Sequence, residues 1–561
     1  MTGNTRNGGQ LLVDCLMALG ARHSFGVPGE SYLAVLDALH DTAGRLDFTL
    51  CRHEGGAAFM AAAYGKLTGR PGIAWVTRGP GATNAAIGVH TAMQDSAPMI
   101  LFVGQVGTGM KGREAFQELD YRAVFGSMAK WAVEINDGAR LPEIVARAWK
   151  TATTGRPGPV VVALPEDMLS APAPAAPLSG PGHYPEPAPD AGAVETTRAM
   201  LARAERPLIL YGGCDWTSEG RAALQAFAEG SNIPVVSVFR YQDKFDNHSA
   251  CFCGEAGVGT VPHVRGLLSG ADVILAINTR FGENATAGYT ALSVPQPAQR
   301  LVHVHASDNE LGKVYQPELG VQAGPNAFVT ALNAAGLVGG AWAGWRAEAR
   351  AAWEAAFDLP DQPSPVDMGR VTAHLREVLP GDAIITNGAG NFAIWSGRFL
   401  KYGPDMRLLA PQSGAMGYGI PAAIAAKLVH PDRLVVCFAG DGDFQMTAAE
   451  LASAAQAGAQ PIILILNNGT YGTIRAHQEQ HYPGRVSGTT MVNPDFPALA
   501  RAHGFHAERV ETTEGFAAAF ARACASPTGA VLDLAISPEA ITPRVSLSAM
   551  RAAGLARAGR D

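Results

Sequence analysis

Three doubly wound parallel α/β units in series are the fold class this sequence predicts, and three observations predict it. First, 561 residues exceed what one hydrophobic core organises, so the chain should divide into about three domains. Second, short apolar, β-prone runs alternate with helical stretches along the whole chain, as in βαβ units. Third, composition shifts mark two seams: residues 171–190 (APAPAAPLSGPGHYPEPAPD) form a Pro-rich, semi-rigid linker, and near 335–365 a Trp/Ala/Arg helix gives way to LPDQPSPVD. The expected domains are 1–172, 190–337 and 364–545.

Between the seams, strand-like runs fall at Pro207–Tyr211, 233–238, 272–277 and Arg300–His305, separated by helical stretches. Past the second seam, Leu434-Val435-Val436-Cys437-Phe438-Ala439 is a buried strand by composition. Gly440 and Gly442 then allow a tight turn, Met446 to Ala457 reads as helix, and Pro461 to Leu466 as the next strand. Near the N-terminus, Cys51-Arg52-His53-Glu54-Gly55-Gly56-Ala57-Ala58 opens a small-residue helix running to about Leu67. The C-terminal stretch from Leu547, Ala/Arg-rich with few large apolar residues, reads as a flexible tail or lid.

Bulk properties exclude several function classes. Charged residues are 17% and the formal net charge is -7, so no basic surface argues for nucleic acid. No 18-residue apolar run or signal peptide appears, so the expectation is a cytoplasmic protein without a membrane span. The seven cysteines are odd in number and scattered; they read as reduced, and Cys251-Phe252-Cys253 has the wrong spacing for zinc.

The chemistry begins at Gly440-Asp441-Gly442, followed 27 positions after Asp441 by Asn468 in the pair Asn467-Asn468. A bare GDG is an ordinary strand–turn–helix. With an Asn pair ending the next strand, Asp441 and Asn468 both project beyond the carboxyl edge of a parallel sheet, where ligands bind. A carboxylate, an amide oxygen and a backbone carbonyl suit Mg²⁺ bridging phosphate oxygens.

This segment resembles the thiamine-diphosphate (ThDP) motif of the acetolactate synthase, pyruvate oxidase and 2-oxo acid decarboxylase superfamily. The resemblance implies Asp441, Asn468 and the main-chain oxygen of Thr470 as metal ligands, with Gly440, Gly442, Asp443, Tyr471 and Gly472 beside the cofactor. Glu54 aligns with the family's catalytic glutamate, which hydrogen-bonds the cofactor's pyrimidine and so promotes loss of the thiazolium C2 proton. Gly414-Ala415-Met416-Gly417-Tyr418-Gly419 resembles the stretch that bends the cofactor, with Met416 as the apolar wedge and the Gly414 carbonyl as an acceptor. Asn387-Gly388-Ala389-Gly390-Asn391-Phe392 follows a strand, and its backbone amides could cradle the diphosphate. The order pyrimidine-binding, central (Rossmann-like), diphosphate-binding covers essentially the whole chain. It implies a homodimer or homotetramer with sites at subunit interfaces.

Several N-terminal segments look most like acetolactate synthase: Gly79-Pro80-Gly81-Ala82-Thr83-Asn84, Ala115-Phe116-Gln117-Glu118 and Ala129-Lys130-Trp131. By that resemblance Phe116, Gln117 and Lys130 approach the reacting carbons or line the access channel. Three departures stand out. His477 replaces a tryptophan that shapes the second-substrate pocket, and could hydrogen-bond or protonate an intermediate or be a solvated loop residue. Glu30, in Gly26-Val27-Pro28-Gly29-Glu30, replaces a small residue; simple decarboxylases carry a carboxylate there. Thr279-Arg280-Phe281-Gly282-Glu283-Asn284 lacks the Asp-rich run of the flavin-binding synthases, which argues against FAD and for a structural central domain. The expected activity is ThDP- and Mg²⁺-dependent decarboxylation of a pyruvate-like 2-oxo acid with carboligation to a second carbonyl compound. A non-ligating decarboxylase, an acyl-CoA lyase or decarboxylase, and a flavin-linked pyruvate oxidase are the alternatives.

Overall fold

Three six-stranded sheets, every pairing parallel, follow one another along the chain. The computed structural model describes residues 6–42, 44–259 and 261–558. The first sheet contains β1 (His23–Gly26), β2 (Asp47–Leu50), β3 (Gly72–Val76), β4 (Met99–Gln105), β5 (Trp131–Glu134) and β6 (Pro159–Pro165), in the order β2-β1-β3-β4-β6-β5. The second contains β7 (Pro207–Tyr211), β8 (Val235–Val238), β9 (Phe252–Ala256), β10 (Val273–Ile277), β11 (Arg300–His305) and β12 (Leu319–Gln322), in the order β12-β11-β10-β7-β8-β9. The third contains β13 (Ile384–Asn387), β14 (Arg407–Leu409), β15 (Val435–Gly440), β16 (Ile462–Asn467), β17 (His506–Val510) and β18 (Ala530–Ala535), in the order β14-β13-β15-β16-β18-β17. The first and third sheets thus share one strand order. Central strands such as β4 and β15 are buried along their length, as helices on both faces require of continuous apolar runs. Residues 174–190 of the linker carry no helix or strand, while 335–365 contains the helix Ala343–Ala355.

The first and third domains share one apolar core. Its axis is the helix Glu54–Thr68 against the helix Gly419–Val429, each following the second strand of its sheet. The helix Glu54–Thr68 is rich in Ala and Gly, which lets a further helix, Gly79–Asp95, approach it as well: a Cβ on Gly88 would lie 2.3 Å from that of Ala58. Phe59 meets Tyr418 edge-on at 5.6 Å. All three domains meet at Asp95. Its carboxylate pairs with Lys66 at 3.1 Å and accepts the Gln412 N–H at 2.6 Å, and its carbonyl accepts the Tyr241 hydroxyl at 2.7 Å. Lys66 also donates to the Ala410 carbonyl at 2.7 Å.

Three expectations change. The glycines around Asp441 do not make the tight turn expected of them: Gly440 has φ -77°, and the helix Asp441–Gln445 starts at once, with Glu450–Ala457 following after a turn. Their smallness serves close approach instead, since a Cβ on Gly440 would meet Phe392 at 2.7 Å and one on Gly442 would meet Tyr471 at 2.6 Å. The C-terminal segment is a docked helix, Leu547–Ala558, rather than a loose tail; Arg551 clamps Glu479 at 2.6 and 2.8 Å. Lys130, which the resemblance sets near the reacting carbons or the access channel, is instead part-buried against a helix end. Its ammonium donates to the carbonyls of Thr151 and Thr154 at the end of the helix Leu141–Thr153, and burial lowers its pKa to about 8. All seven cysteines are free thiols, and no helix among the described residues is long and apolar enough to cross a membrane.

Candidate active site

The carboxyl ends of the third sheet's strands surround a cavity of about 780 Å³. Its walls include Asn391 after β13, Gly414 and Met416 after β14, Gly440, Asp441, Gly442 and Asp443 at β15, and Asn468, Thr470, Tyr471 and Gly472 after β16. Asp441 is 2% exposed. Its Oδ2 accepts from the Gly469 N–H and the Asn493 amide, both at 2.7 Å, and its Oδ1 from the Gly442 N–H at 3.0 Å. Burial raises the Asp441 pKa, and these three donors oppose that shift. Asn468 Oδ1 accepts the Thr470 N–H at 3.1 Å, which orients its amide beside the Thr470 main chain. Asp441, Asn468 and Thr470 line one cavity, and a carboxylate, an amide oxygen and a main-chain carbonyl are donor types that suit a divalent cation.

Asp443 and Asn391 turn out to shape the wall. Asp443 Oδ1 accepts the N–H groups of Gly417 at 2.8 Å and Ala389 at 3.0 Å, so the Ala389 amide read as part of an anion cradle faces a carboxyl group. Burial pushes that carboxyl up to about 7. Asn391 ties the cavity rim to the C-terminal strap: its amide donates to the Ile541 carbonyl at 2.9 Å, and its Oδ1 accepts the Thr473 hydroxyl at 2.9 Å. Gly414 adopts φ +67°, the left-handed region that favours glycine. His477 stays outside. It is exposed on the helix Gly472–His481, its ring 6.3 Å from that of His481, and does not line the cavity.

A second group of residues sits at the carboxyl edge of the first sheet. Glu54 opens its helix after β2, with His53 as N-cap accepting the Gly55 N–H at 3.0 Å. Asn84 donates to Glu54 Oε2 at 2.9 Å, and a Cβ on Gly81 would lie 3.4 Å from Oε1. After β1, Glu30 pairs through Oε1 with Arg78 at 2.9 Å; Arg78 bonds Glu166 with its other terminal nitrogen at 2.7 Å. Gln117 holds φ +65°, and its carbonyl accepts the Gly79 N–H at 2.9 Å, fixing this loop over the start of the helix Gly79–Asp95. The neighbouring Phe116 is 72% exposed.

Neither Glu54, Glu30 nor Gln117 lines the cavity of its own chain, whose walls begin at Phe239. What the same chain does supply behind Glu54 is Glu450, a residue the motifs did not reveal. Fully buried, it accepts the His53 N–H at 3.0 Å, the Arg52 N–H at 3.2 Å and the Ser453 hydroxyl at 2.5 Å. Asn84, Arg78 and Asn493 were likewise given no role by the sequence.

The central domain has its own cavity, of about 250 Å³, between Asp215, Asn278, Arg280 and His305. Arg156 of the first domain lines it and pairs with Glu310 at 2.9 Å.

Three family models match the chain: the N-terminal TPP binding domain of thiamine pyrophosphate enzymes over residues 6–124, the central domain over 194–332 and the C-terminal TPP binding domain over 388–534. Among curated relatives, an acetolactate synthase large subunit of Parasynechococcus marenigrum is 32% identical over 94% of this chain and 87% of its own length. The acetolactate synthase isozyme 2 large subunit of Escherichia coli is 30% identical over 90% of this chain and 91% of its own. An acetolactate synthase of Arthrospira platensis is 27% identical over 94% and 93%.

Proposed function

Because this chain belongs to the acetolactate synthase-like family of thiamine-diphosphate enzymes, we propose that it decarboxylates a pyruvate-like 2-oxo acid and joins the remaining acyl carbon to a second carbonyl compound. ThDP-dependent decarboxylation and carboligation are what the family carries; the donor acid, Mg²⁺ and the oligomeric state are our reading. Bound thiamine diphosphate supplies an electron sink for the carbanion left by loss of CO₂.

The chain's residues divide the remaining work. Asp441, Asn468 and the Thr470 carbonyl would hold Mg²⁺, which would supply positive charge for the cofactor's diphosphate. Met416, half-buried in the cavity wall, offers an apolar face to the cofactor rings. Glu54, steadied by Asn84 and by Glu450 beneath its loop, offers Oε1 as the carboxylate oxygen that shares a proton with the cofactor's pyrimidine. Since Glu54 is not a wall of its own chain's cavity, we assign it to the cavity of a second copy, in a homodimer or a dimer of dimers.

The observation that carries this reading is the pair of half-sites at the carboxyl edges of two sheets with one strand order. A non-ligating decarboxylase would need a proton donor at Glu30, whose carboxylate is instead ion-paired with Arg78. The test is incubation with ThDP, Mg²⁺ and a panel of 2-oxo acids led by pyruvate, following CO₂ and identifying products by NMR. A hydroxyketone or a 2-hydroxy-3-oxo acid is expected. Free aldehyde in proportion to CO₂ would remove the carboligation step.

A further inference from the structure

Arg78 is an unusual presence on the first sheet's rim. It follows β3 and is only 6% exposed, yet it lies between two carboxylates contributed by other strands: Glu30 after β1 at 2.9 Å and Glu166 after β6 at 2.7 Å. Its Nε is buried without a partner. Both terminal nitrogens are therefore committed, and the guanidinium is in no position to receive a substrate carboxylate. Lys111, the next cation along this edge, is committed in the same way to Glu134 and to Asn136 at 2.8 Å.

The triad lies on the same wall as Glu54. The Ser31 hydroxyl, next to Glu30, bonds that of Thr77, next to Arg78, at 2.9 Å. A Cβ on Gly81 would touch both Thr77 Cγ2 at 3.2 Å and Glu54 Oε1 at 3.4 Å. One guanidinium between two carboxylates leaves a net negative charge, and the Glu30 side chain, 67% exposed, carries it to the solvent side of the rim.

We infer that the Glu30–Arg78–Glu166 triad selects an uncharged carbonyl compound, in preference to a second 2-oxo acid, as the acceptor, with Arg78 as the positioning residue that pins Glu30. The inference rests on the carboligase reading above. The reaction is a 2-oxo acid anion plus an aldehyde plus one proton, giving a 2-hydroxy ketone and CO₂. The bond from the carbonyl carbon to the carboxylate breaks, its electron pair forms the bond to the aldehyde carbon, and the aldehyde oxygen takes the proton. A donor acid loses its negative charge as CO₂, so a negative wall ceases to oppose it. An acceptor acid keeps its carboxylate through bond formation and meets the wall throughout. For one exposed carboxylate, screened by solvent and by its own partner, the discrimination should be about tenfold.

The test is a competition. Wild-type enzyme with ThDP and Mg²⁺ receives pyruvate and an equal concentration of propanal, and NMR gives the ratio of hydroxyketone to 2-hydroxy-2-methyl-3-oxo acid. We expect the hydroxyketone to predominate and Glu30→Gln to lower the ratio about tenfold; Glu166→Gln, further from the opening, should lower it less. Arg78→Met, which leaves both carboxylates uncompensated, should raise the ratio. Opposite signs for variants of one triad are an outcome that general loosening of the rim would not produce. The ratio is internal to each sample and so survives an overall loss of rate; if Arg78→Met fails to fold, the two Gln variants still decide the matter. An equal ratio in wild type and Glu30→Gln, or pyruvate outcompeting propanal in the wild type, would overturn the inference. Absence of CO₂ from every acid would instead overturn the decarboxylation reading, and the inference with it.

Discussion

Glu450 supports a sharp prediction because its role is entirely second-hand: it touches the loop that carries Glu54, not Glu54 itself. Its carboxylate, with no exposed surface, receives the N–H groups of Arg52 and His53 and the hydroxyl of Ser453. Glu450→Ala removes the acceptor from all three. A donor left without a partner costs roughly 1–3 kcal/mol, but Arg52 and His53 lie in an exposed loop where water replaces part of what is lost. The expected loss is therefore about 3 kcal/mol in all, read as a lower denaturant midpoint at unchanged slope. The loop would then shift, and a displacement near 1 Å at a reacting group costs on the order of 10²-fold in rate. Glu450→Gln keeps one acceptor oxygen and should lose less of both, because burial already disfavours the charged form at this position. Gly56→Ala probes the contact from the other side, since its Cβ would fall 2.2 Å from Glu450 Oε1. Stability by urea titration and the rate of ThDP C2–H/D exchange by NMR are the assays. If Glu450→Ala left both unchanged, the reasoning from buried donors would be refuted.

Asp441→Ala should release Mg²⁺ and ThDP together on a desalting column, by about tenfold or more in affinity; full retention would remove Asp441 from the metal set. Glu54→Gln should keep ThDP bound while slowing turnover by about 10²-fold or more. Mixed in equal amounts after co-refolding, the Glu54→Gln and Asp441→Ala chains should recover about a quarter of wild-type activity, because half the dimers then hold one intact site; no recovery would place both residues in one chain's site. The Glu479 carboxyl, held down to about 2 by Arg551, the Gly484 N–H and Arg475, is depressed from its ordinary 4.5. The folded state therefore binds fewer protons than the unfolded across that window, and the clamp's contribution is lost as pH falls from about 4.5 towards 2. Limited proteolysis should show the helix Leu547–Ala558 released over that range and released at higher pH in Arg551→Ala.

What the sequence made legible was local. Strands such as β7, β15 and β16 could be named because they are continuous apolar runs of the kind a doubly covered parallel sheet imposes, and β15 and β16 with their flanking Asp441 and Asn468 lie within one short span. Residues at consecutive strand ends are brought together by topology alone, which is why the third-sheet set converges on one cavity. The Arg78 triad depends instead on β1, β3 and β6 sharing an edge of the same sheet, and neither periodicity nor composition fixes that strand order. Glu450 bonds main-chain donors nearly 400 positions away in sequence, at separations of 397 and 398, and a main-chain partner leaves no trace in residue type. The C-terminal helix was misread for a related reason. Its anchor is an ion pair to Glu479, so a scarcity of large apolar residues did not mean a scarcity of contacts.

The same packing that hides Glu450 bears on why the site should need two chains. To carry its own Glu54 into its own cavity, a chain would have to turn the first domain against the third. The hinge would be the junction of Lys66, Asp95 and Gln412, where the Lys66 side chain has no exposed surface and that of Asp95 only 2%. Separating a buried ion pair costs roughly 3–5 kcal/mol when one partner is left uncompensated. The helix Glu54–Thr68 would also lose its apolar contact with Gly419–Val429, which buries both helices nearly all round. Docking a second copy breaks neither contact. It also gives a use to the apolar side chains left exposed on each half: Ile87 and Phe116 on the first domain, Met446 and Ile474 on the third. Intrachain packing thus holds each half-site in place, and on the two-chain reading proposed above association would supply the opposite half, with the cofactor held between them.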